Sequence, residues 1–196
     1  MKIFKIIILI FTFLISGCGI EEFIDFKSKY INPAGTSILS RINVPEGYER
    51  IGNDDFSNYI RNYPLKKDGS KIHLHNGLTR MNQRNHVAIF SLPLGEENLQ
   101  QCADSIMAMY ARYYYENKEY DKIQFHFVNG FLFKYKDYMN GYRITIQDNK
   151  VIKKKTKSYD DSLKTFEEYL KLVFSYASTL SMEEETGKGS SSCKIQ

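Results

Sequence analysis

Two long stretches of helical periodicity, separated by segments of strand length, most constrain the fold of this chain. Apolar residues recur at intervals of three and four in Asn98–Tyr115, and again from Asp160 to about Met182. The segments between them do not alternate strand with helix, and no internal repeat is visible. We therefore expect an α+β fold, in which an antiparallel sheet packs against two long helices in a single domain.

Shorter patterns predict the remaining elements. Residues 53–64 predict a short helix capped by Asn53 or Asp54, and Asn76-Gly77 predicts a hairpin turn. Residues 86–92 and 122–128 predict strands. Asp148-Asn149 predicts the turn of a strand pair. For the first long helix we expect Asn98 as the cap, with Gln101 at the capping-box spacing.

The first 17 residues have the layout of a lipoprotein signal peptide. Lys2 and Lys5 precede an apolar run, Ile6–Ile15, which is shorter than the ~20 residues of a membrane-spanning helix. Small residues then lead to Cys18, and the segment ISGC resembles a bacterial lipobox. We expect cleavage before Cys18 and acylation of its sulfur, whereas the alternative is a secreted protein without lipid.

Acylation would hold the protein at a bacterial membrane, in the cell envelope, because two or three acyl chains bind stably where one is marginal. Gly19 follows the cysteine where an aspartate would resemble an inner-membrane retention signal. In a cell with two membranes, the sequence is therefore compatible with a location at the outer membrane or at the cell surface. Residues 18–37 then form a tether, residues 38–185 the single folded domain, and residues 186–196 a disordered Gly/Ser-rich tail.

Charge and composition exclude some partners. The formal charge of +4 falls to +2 without Lys2 and Lys5, and the lysines of 153–157 are offset by the glutamates of 183–185. We therefore expect no nucleic acid partner and no cofactor. The sequence does not indicate an oligomeric state.

Five segments between Val44 and Glu185 carry a family resemblance. They read VPEGYERI, DFSNYIRNYPLK, NHVAIFSLPL, NLQQCADSIMAMYARYYY and FSYASTLSMEEE. Together they resemble the bacterial lipoprotein family known as domain of unknown function 4846. The resemblance implies an envelope protein with one domain, and it asserts no activity.

Cys102 is the candidate nucleophile of a papain-like thiol hydrolase acting on peptide or acyl bonds. The start of a helix stabilises a thiolate, and the reaction also needs a base and a donor for the developing oxyanion. We expect His86 as the base, with His126 as the alternative, and Gln101 as the oxyanion donor, with Gln100 as the alternative.

The alternative interpretation makes Cys102 a small apolar residue of the core. Helical spacing predicts an inward face of Leu99, Cys102, Ala103, Ile106, Met109, Tyr110 and Tyr113, and an outward face of Asp104, Ser105, Ala108, Arg112 and Glu116. On this helical pattern Cys102 points inward and Asp104 points away, so whether the chain is an enzyme stays open.

Two other patterns suggest binding. His73 and His75 share one face of a strand, but no third ligand stands at a suitable spacing, so we expect no metal site. Runs rich in tyrosine suggest a surface that binds a glycan or a protein, with Tyr114 and Tyr115 as its best candidates.

Overall fold

The computed structural model describes residues 27, 29–52, 54–95, 99–148 and 150–177. The chain separates into two compact units, unit 1 up to Ser91 and unit 2 from Leu92. Cys18, the predicted cap Asn98 and the predicted tail lie outside the described residues. No helix in the described ranges is long and apolar enough to cross a membrane.

Unit 1 contains two capped helices. Helix α1 (Ile38–Arg41) follows Ser37, whose hydroxyl accepts the Ser40 N–H at 3.3 Å. Helix α2 (Asp55–Asn62) follows Asp54, whose carboxylate accepts the backbone N–H of Ser57 at 2.9 Å and its hydroxyl at 2.6 Å. These bonds favour the charged carboxylate and lower the pKa of Asp54. The predicted short helix and its Asp54 cap are confirmed.

The rest of the described part of unit 1 is mostly irregular. The strand predicted at 86–92 was wrong, because this segment forms a single bridge between Phe90 and Leu65 and remains half-buried. Pro64 stands beside that bridge and has no N–H to extend the ladder. The turn at Asn76-Gly77 is confirmed, with a bridge between His73 and Thr79 and a φ of +81° at Gly77.

Arg41 holds the loops of unit 1 together. Its side chain is 2% exposed, and it donates from Nε to the Gly35 carbonyl at 2.7 Å and from Nη2 to the Lys66 carbonyl at 3.0 Å. Nη1 lies 3.7 Å from Asp68. A Cβ on Gly35 would lie 2.5 Å from the Arg41 backbone, so this close approach requires glycine.

Unit 2 contains the two long helices and two antiparallel hairpins. In chain order the elements are α3 (Cys102–Glu116), a 3₁₀ turn (Tyr120–Lys122), β1 (Gln124–His126), β2 (Leu132–Lys134), α4 (Tyr135–Met139), β3 (Tyr142–Gln147), β4 (Lys150–Lys155) and α5 (Leu163–Tyr176). Phe125 pairs with Phe133 in the first hairpin, and Ile144 pairs with Lys153 in the second. The predicted α+β class is confirmed. The strands pair as two separate hairpins, since α4 stands between β2 and β3 in the chain.

Aromatic rings form the core of unit 2. Phe133 of β2 stacks on Tyr169 of α5 at 4.7 Å, and Tyr115 of α3 stacks on Phe166 of α5 at 4.2 Å. The Tyr169 hydroxyl is fully buried and donates to the Phe133 carbonyl at 2.8 Å. Burial also raises the pKa of Tyr135, which keeps that phenol neutral inside the core. The core therefore joins both long helices to the first hairpin.

A close chain crossing at Gly141 fixes the start of α5. A Cβ on Gly141 would lie 1.9 Å from the Lys157 carbonyl oxygen, and its φ is +90°. Just beyond the crossing, Asp160 donates its N–H to Met139 O at 2.8 Å, and its carboxylate accepts the hydroxyl of Thr165 at 2.6 Å. That bond lowers the pKa of Asp160. The second hairpin thereby positions the first turn of α5.

Removing the Tyr169 hydroxyl should destabilise the protein. Tyr169→Phe keeps the ring and its stacking but leaves the Phe133 carbonyl without this donor, which costs about 1–3 kcal/mol of the free energy of unfolding. Urea denaturation measures the loss. Tyr159→Phe is the matched control, because Tyr159 is 57% exposed and its hydroxyl meets Asp161 at the surface. Equal losses in the two variants would contradict the role given to Tyr169.

Candidate functional site

The candidate site lies at the start of α3. Gln101 is the N-cap, and its N–H donates to the Asp104 carboxylate at 2.8 Å, while the Ser105 hydroxyl donates to the Gln101 carbonyl at 2.9 Å. A carboxylate in the first turn is stabilised by the unpaired amides and the helix dipole. The backbone of Gln101 is therefore fixed, and Cys102 is the first residue of the helix.

Cys102 is exposed, so the sequence-based assignment of helix faces was wrong. Asp104, Ala108 and Arg112 are buried, whereas Ile106 is 57% exposed. Arg112 is buried because Nη2 pairs with Glu167 of α5 at 2.6 Å and its guanidinium lies 5.8 Å from the centre of the Phe166 ring. Its charge is paired inside the unit, although Nε has no hydrogen-bond partner among the described residues, and the pattern of apolar residues does not reveal this pairing. Cys102 consequently faces solvent.

The other predicted catalytic residues lie in different settings. His86 belongs to unit 1, where Nε2 donates to the Ser70 carbonyl at 3.1 Å and Nδ1 is buried without a hydrogen-bond partner among the described residues. Cys102, Gln101 and the alternative base His126, which is in β1, belong to unit 2. The grouping of Cys102, His86 and Gln101 therefore stays a prediction.

A cleft of about 280 Å³ opens beside the segment that leads into α3. This volume is near the lower end of the range for small-molecule sites, about 300–1,000 Å³. Its described lining consists of Pro93, Leu94, Gly95, Leu99, Gln100, Glu167, Lys171 and Phe174. The walls are thus mostly apolar, and three polar side chains converge on them.

Polar groups at the cleft have defined partners, with one exception. Glu167 is paired with Arg112, so its charge is compensated. The Gln100 side-chain nitrogen is buried and has no acceptor among the described residues. An unpaired buried donor is costly, and an acceptor brought by a ligand would relieve that cost once the side chain rotates towards the cleft.

The sequence pattern did not predict this cleft, although it contained one signal. Glu167, Lys171 and Phe174 are spaced by four and three residues, so they lie on one face of α5. Nothing in the pattern indicated that residues 93–95 and 99–100 would line a cleft with that face. The contact between a loop and a helix is therefore what sequence spacing failed to predict.

The remaining candidates are placed as follows. His73 and His75 are exposed, and no three His, Cys, Asp or Glu side chains within the described ranges are grouped to hold a metal ion. Tyr114 and Tyr115 are half-buried at the margin of the core, where Tyr115 also donates to the Asp161 carbonyl at 2.9 Å. These tyrosines are engaged with their own unit, which weakens the case for a tyrosine-based binding face.

The chain was compared with curated proteins, with solved structures and with models of protein families. No curated protein and no solved structure matches it. A family model described as "Domain of unknown function (4846)" matches residues 38–193, which is most of the chain and includes parts of both units. The chain therefore belongs to the family of domain of unknown function 4846.

Proposed function

We propose that the protein is a lipid-anchored bacterial envelope protein whose unit 2 binds a small molecule with an apolar body and a polar end. The observation that carries the binding function is the cleft that residues 93–95 and 99–100 form with α5. Family membership is compatible with this role and assigns no activity. The anchor rests on the signal peptide pattern and Cys18 in the sequence.

The anchor has a direct test. A bacterium expressing the full chain and fed an alkyne analogue of palmitate should incorporate the label, and Cys18→Ser should abolish it, because the acyl chains are attached to that sulfur and to the new N-terminus that cleavage creates. In-gel fluorescence after coupling to a dye measures the label. Cys193→Ser is the matched control and should label normally. A Cys18→Ser protein that still labels would contradict the anchor.

The lining of the cleft indicates the kind of ligand. Leu94, Leu99 and Phe174 offer apolar surface, whose burial contributes about 25 cal/mol per Å². Lys171 and Gln100 can donate hydrogen bonds at the same cleft. A ring or short acyl group that carries a carboxylate, sulfonate or carbonyl oxygen fits this combination, since such groups accept hydrogen bonds and the apolar body fills the walls.

Anilinonaphthalene sulfonate, an aromatic probe with a sulfonate, should bind the native protein saturably at this cleft. Leu94→Asp places a charge in the apolar wall and should weaken the fluorescence titration about tenfold or more. Leu163→Asp is the matched control, because Leu163 is 56% exposed in α5 and does not line the cleft. Circular dichroism confirms that both variants are folded. Equal affinity of the two variants for the probe would exclude the cleft as its site.

A thiol hydrolase is the second candidate, and the exposure of Cys102 favours it. The base would take the thiol proton, the thiolate would attack a carbonyl carbon and form a thioester, and the protonated base would give that proton to the leaving group. Water would then release the acyl group and regenerate the thiol. Gln100 lines the cleft and precedes Cys102 by two residues in the chain. A substrate whose polar end bonds to Gln100 would therefore be held next to the segment that carries the thiol. The base, His86 or His126, remains a sequence-based prediction.

A catalytic Cys102 should react faster than an ordinary thiol. In a Cys193→Ser background with an acylated Cys18, iodoacetamide at neutral pH should modify Cys102 about tenfold or more faster than it modifies glutathione, because only the thiolate reacts. Mass spectrometry of the native protein measures the rate, and Cys102→Ser gives the blank. His86→Ala and His126→Ala should identify the base by lowering the rate. A rate equal to that of glutathione would leave ligand binding as the sole function proposed.

A further inference from the structure

Unit 1 has a cavity of its own, of about 190 Å³, beside Arg41. It lies between the turn at residues 67–71 and the segment 83–89, and Val87 and Ile89 form part of its wall. A water molecule occupies about 30 Å³ of liquid, so this space suits a group of roughly six waters in volume. A phosphate group with a few attached atoms is of that size.

Positive charge dominates the lining. Lys27, Arg41, Lys67 and Lys71 line the cavity, and Asp68 is the one carboxylate among its described residues. Asp68 is shared, since its oxygens lie 3.7 Å from Arg41 Nη1 and 3.9 Å from Lys27 Nζ. One carboxylate therefore faces four cations. Such an excess of positive charge attracts anions to the cavity.

The structural role of Arg41 explains only part of this arrangement. Its bonds to Gly35 O and Lys66 O account for its burial, but carbonyl oxygens carry no full charge, and the one carboxylate nearby, Asp68, is shared with Lys27. Nothing in that role requires Lys67 and Lys71 to line the same cavity. Their convergence on a buried guanidinium is the feature that indicates a ligand.

The backbone around the cavity is held in place. Ser70 N–H donates to Lys67 O at 3.1 Å, and Gly69 within this turn has a φ of +76°, which favours glycine. His86 Nε2 donates to Ser70 O at 3.1 Å, and Gln83 accepts the Ile72 N–H at 2.9 Å. Lys67 and Lys71 therefore project from a fixed turn, which lowers the cost of ordering them around an anion.

We infer that this cavity binds the phosphate group of a small molecule or of a lipid headgroup. Lysine ammonium groups bind phosphate as point charges, and the buried guanidinium adds a permanent charge at the base of the cavity. The lipid source rests on the proposed anchor. Lys27 is nine residues after Cys18 (27 − 18), which spans about 30 Å at most in an extended chain, so an acylated Cys18 would keep the cavity near the membrane surface.

The test uses the full chain purified in detergent. Thermal unfolding is followed in sodium phosphate and in sodium chloride of equal ionic strength at pH 7.5, so that general screening is the same in both. Phosphate should raise the Tm by about 3 °C, saturably, because a ligand that binds the folded state stabilises it. Lys67→Ala/Lys71→Ala should weaken the apparent affinity for phosphate about tenfold.

Lys154→Ala/Lys164→Ala is the matched control, because it also removes two exposed lysines, from unit 2, and should leave the phosphate effect unchanged. Equal stabilisation by chloride and phosphate, or equal loss in both double variants, would overturn the inference. Neither result depends on acylation, so the palmitate labelling of Cys18 can succeed or fail independently.

Two vesicle preparations identify the source of the phosphate. The acylated protein is placed in vesicles of phosphatidylcholine alone, or of phosphatidylcholine with phosphatidylglycerol, and the titration with inorganic phosphate is repeated. A headgroup that occupies the cavity should abolish the effect of added phosphate in the anionic vesicles and lower it less in phosphatidylcholine alone, whose phosphate is offset by a choline cation. Persistence of the effect in both preparations would assign the cavity to a soluble phosphate compound and overturn the lipid source.

Discussion

The contact between Tyr169 and Phe133 is the interaction on which unit 2 depends. The two rings stack, and the Tyr169 hydroxyl caps the Phe133 carbonyl, so a single residue of α5 supplies both apolar burial and a polar bond to β2. Phe166 repeats the pattern one turn earlier by stacking on Tyr115 of α3. Because helix propensity alone would not hold two long helices against short hairpins, this aromatic packing determines where α3 and α5 lie, and hence where the cleft beside α5 forms.

Much of the fold could be predicted from local signals, because those signals act over a few residues. Asp54, the turn at Gly77 and the pairing of β3 with β4 follow from capping and turn chemistry. The orientation of α3 could not be predicted, because hydropathy assigns Arg112 to solvent. In the structure a glutamate 55 positions away neutralises its charge. The same error led to the prediction that Cys102 faces the core. The periodicity of apolar residues does not predict pairing between charges that are far apart in the sequence, and it does not predict which loop lies beside α5.

The two units offer different chemistry. The cleft of unit 2 combines apolar walls with a few hydrogen-bonding groups, whereas the cavity of unit 1 combines four cations with a single carboxylate. The two sites would therefore favour different parts of a ligand, since apolar walls bury hydrocarbon and an excess of lysines attracts anionic groups.

The crossing at Gly141 determines how the chain runs from the second hairpin towards α5. Thr156 and Lys157 both donate backbone N–H groups to Gly141 O, and Asp160 donates to Met139 O immediately afterwards. Gly141 O therefore closes the second hairpin at its base, and the bond from Asp160 ties the segment before α5 to Met139 of α4. A side chain at residue 141 would collide with the Lys157 carbonyl, so the path of the chain from the hairpin towards α5 depends on a residue that lacks a side chain.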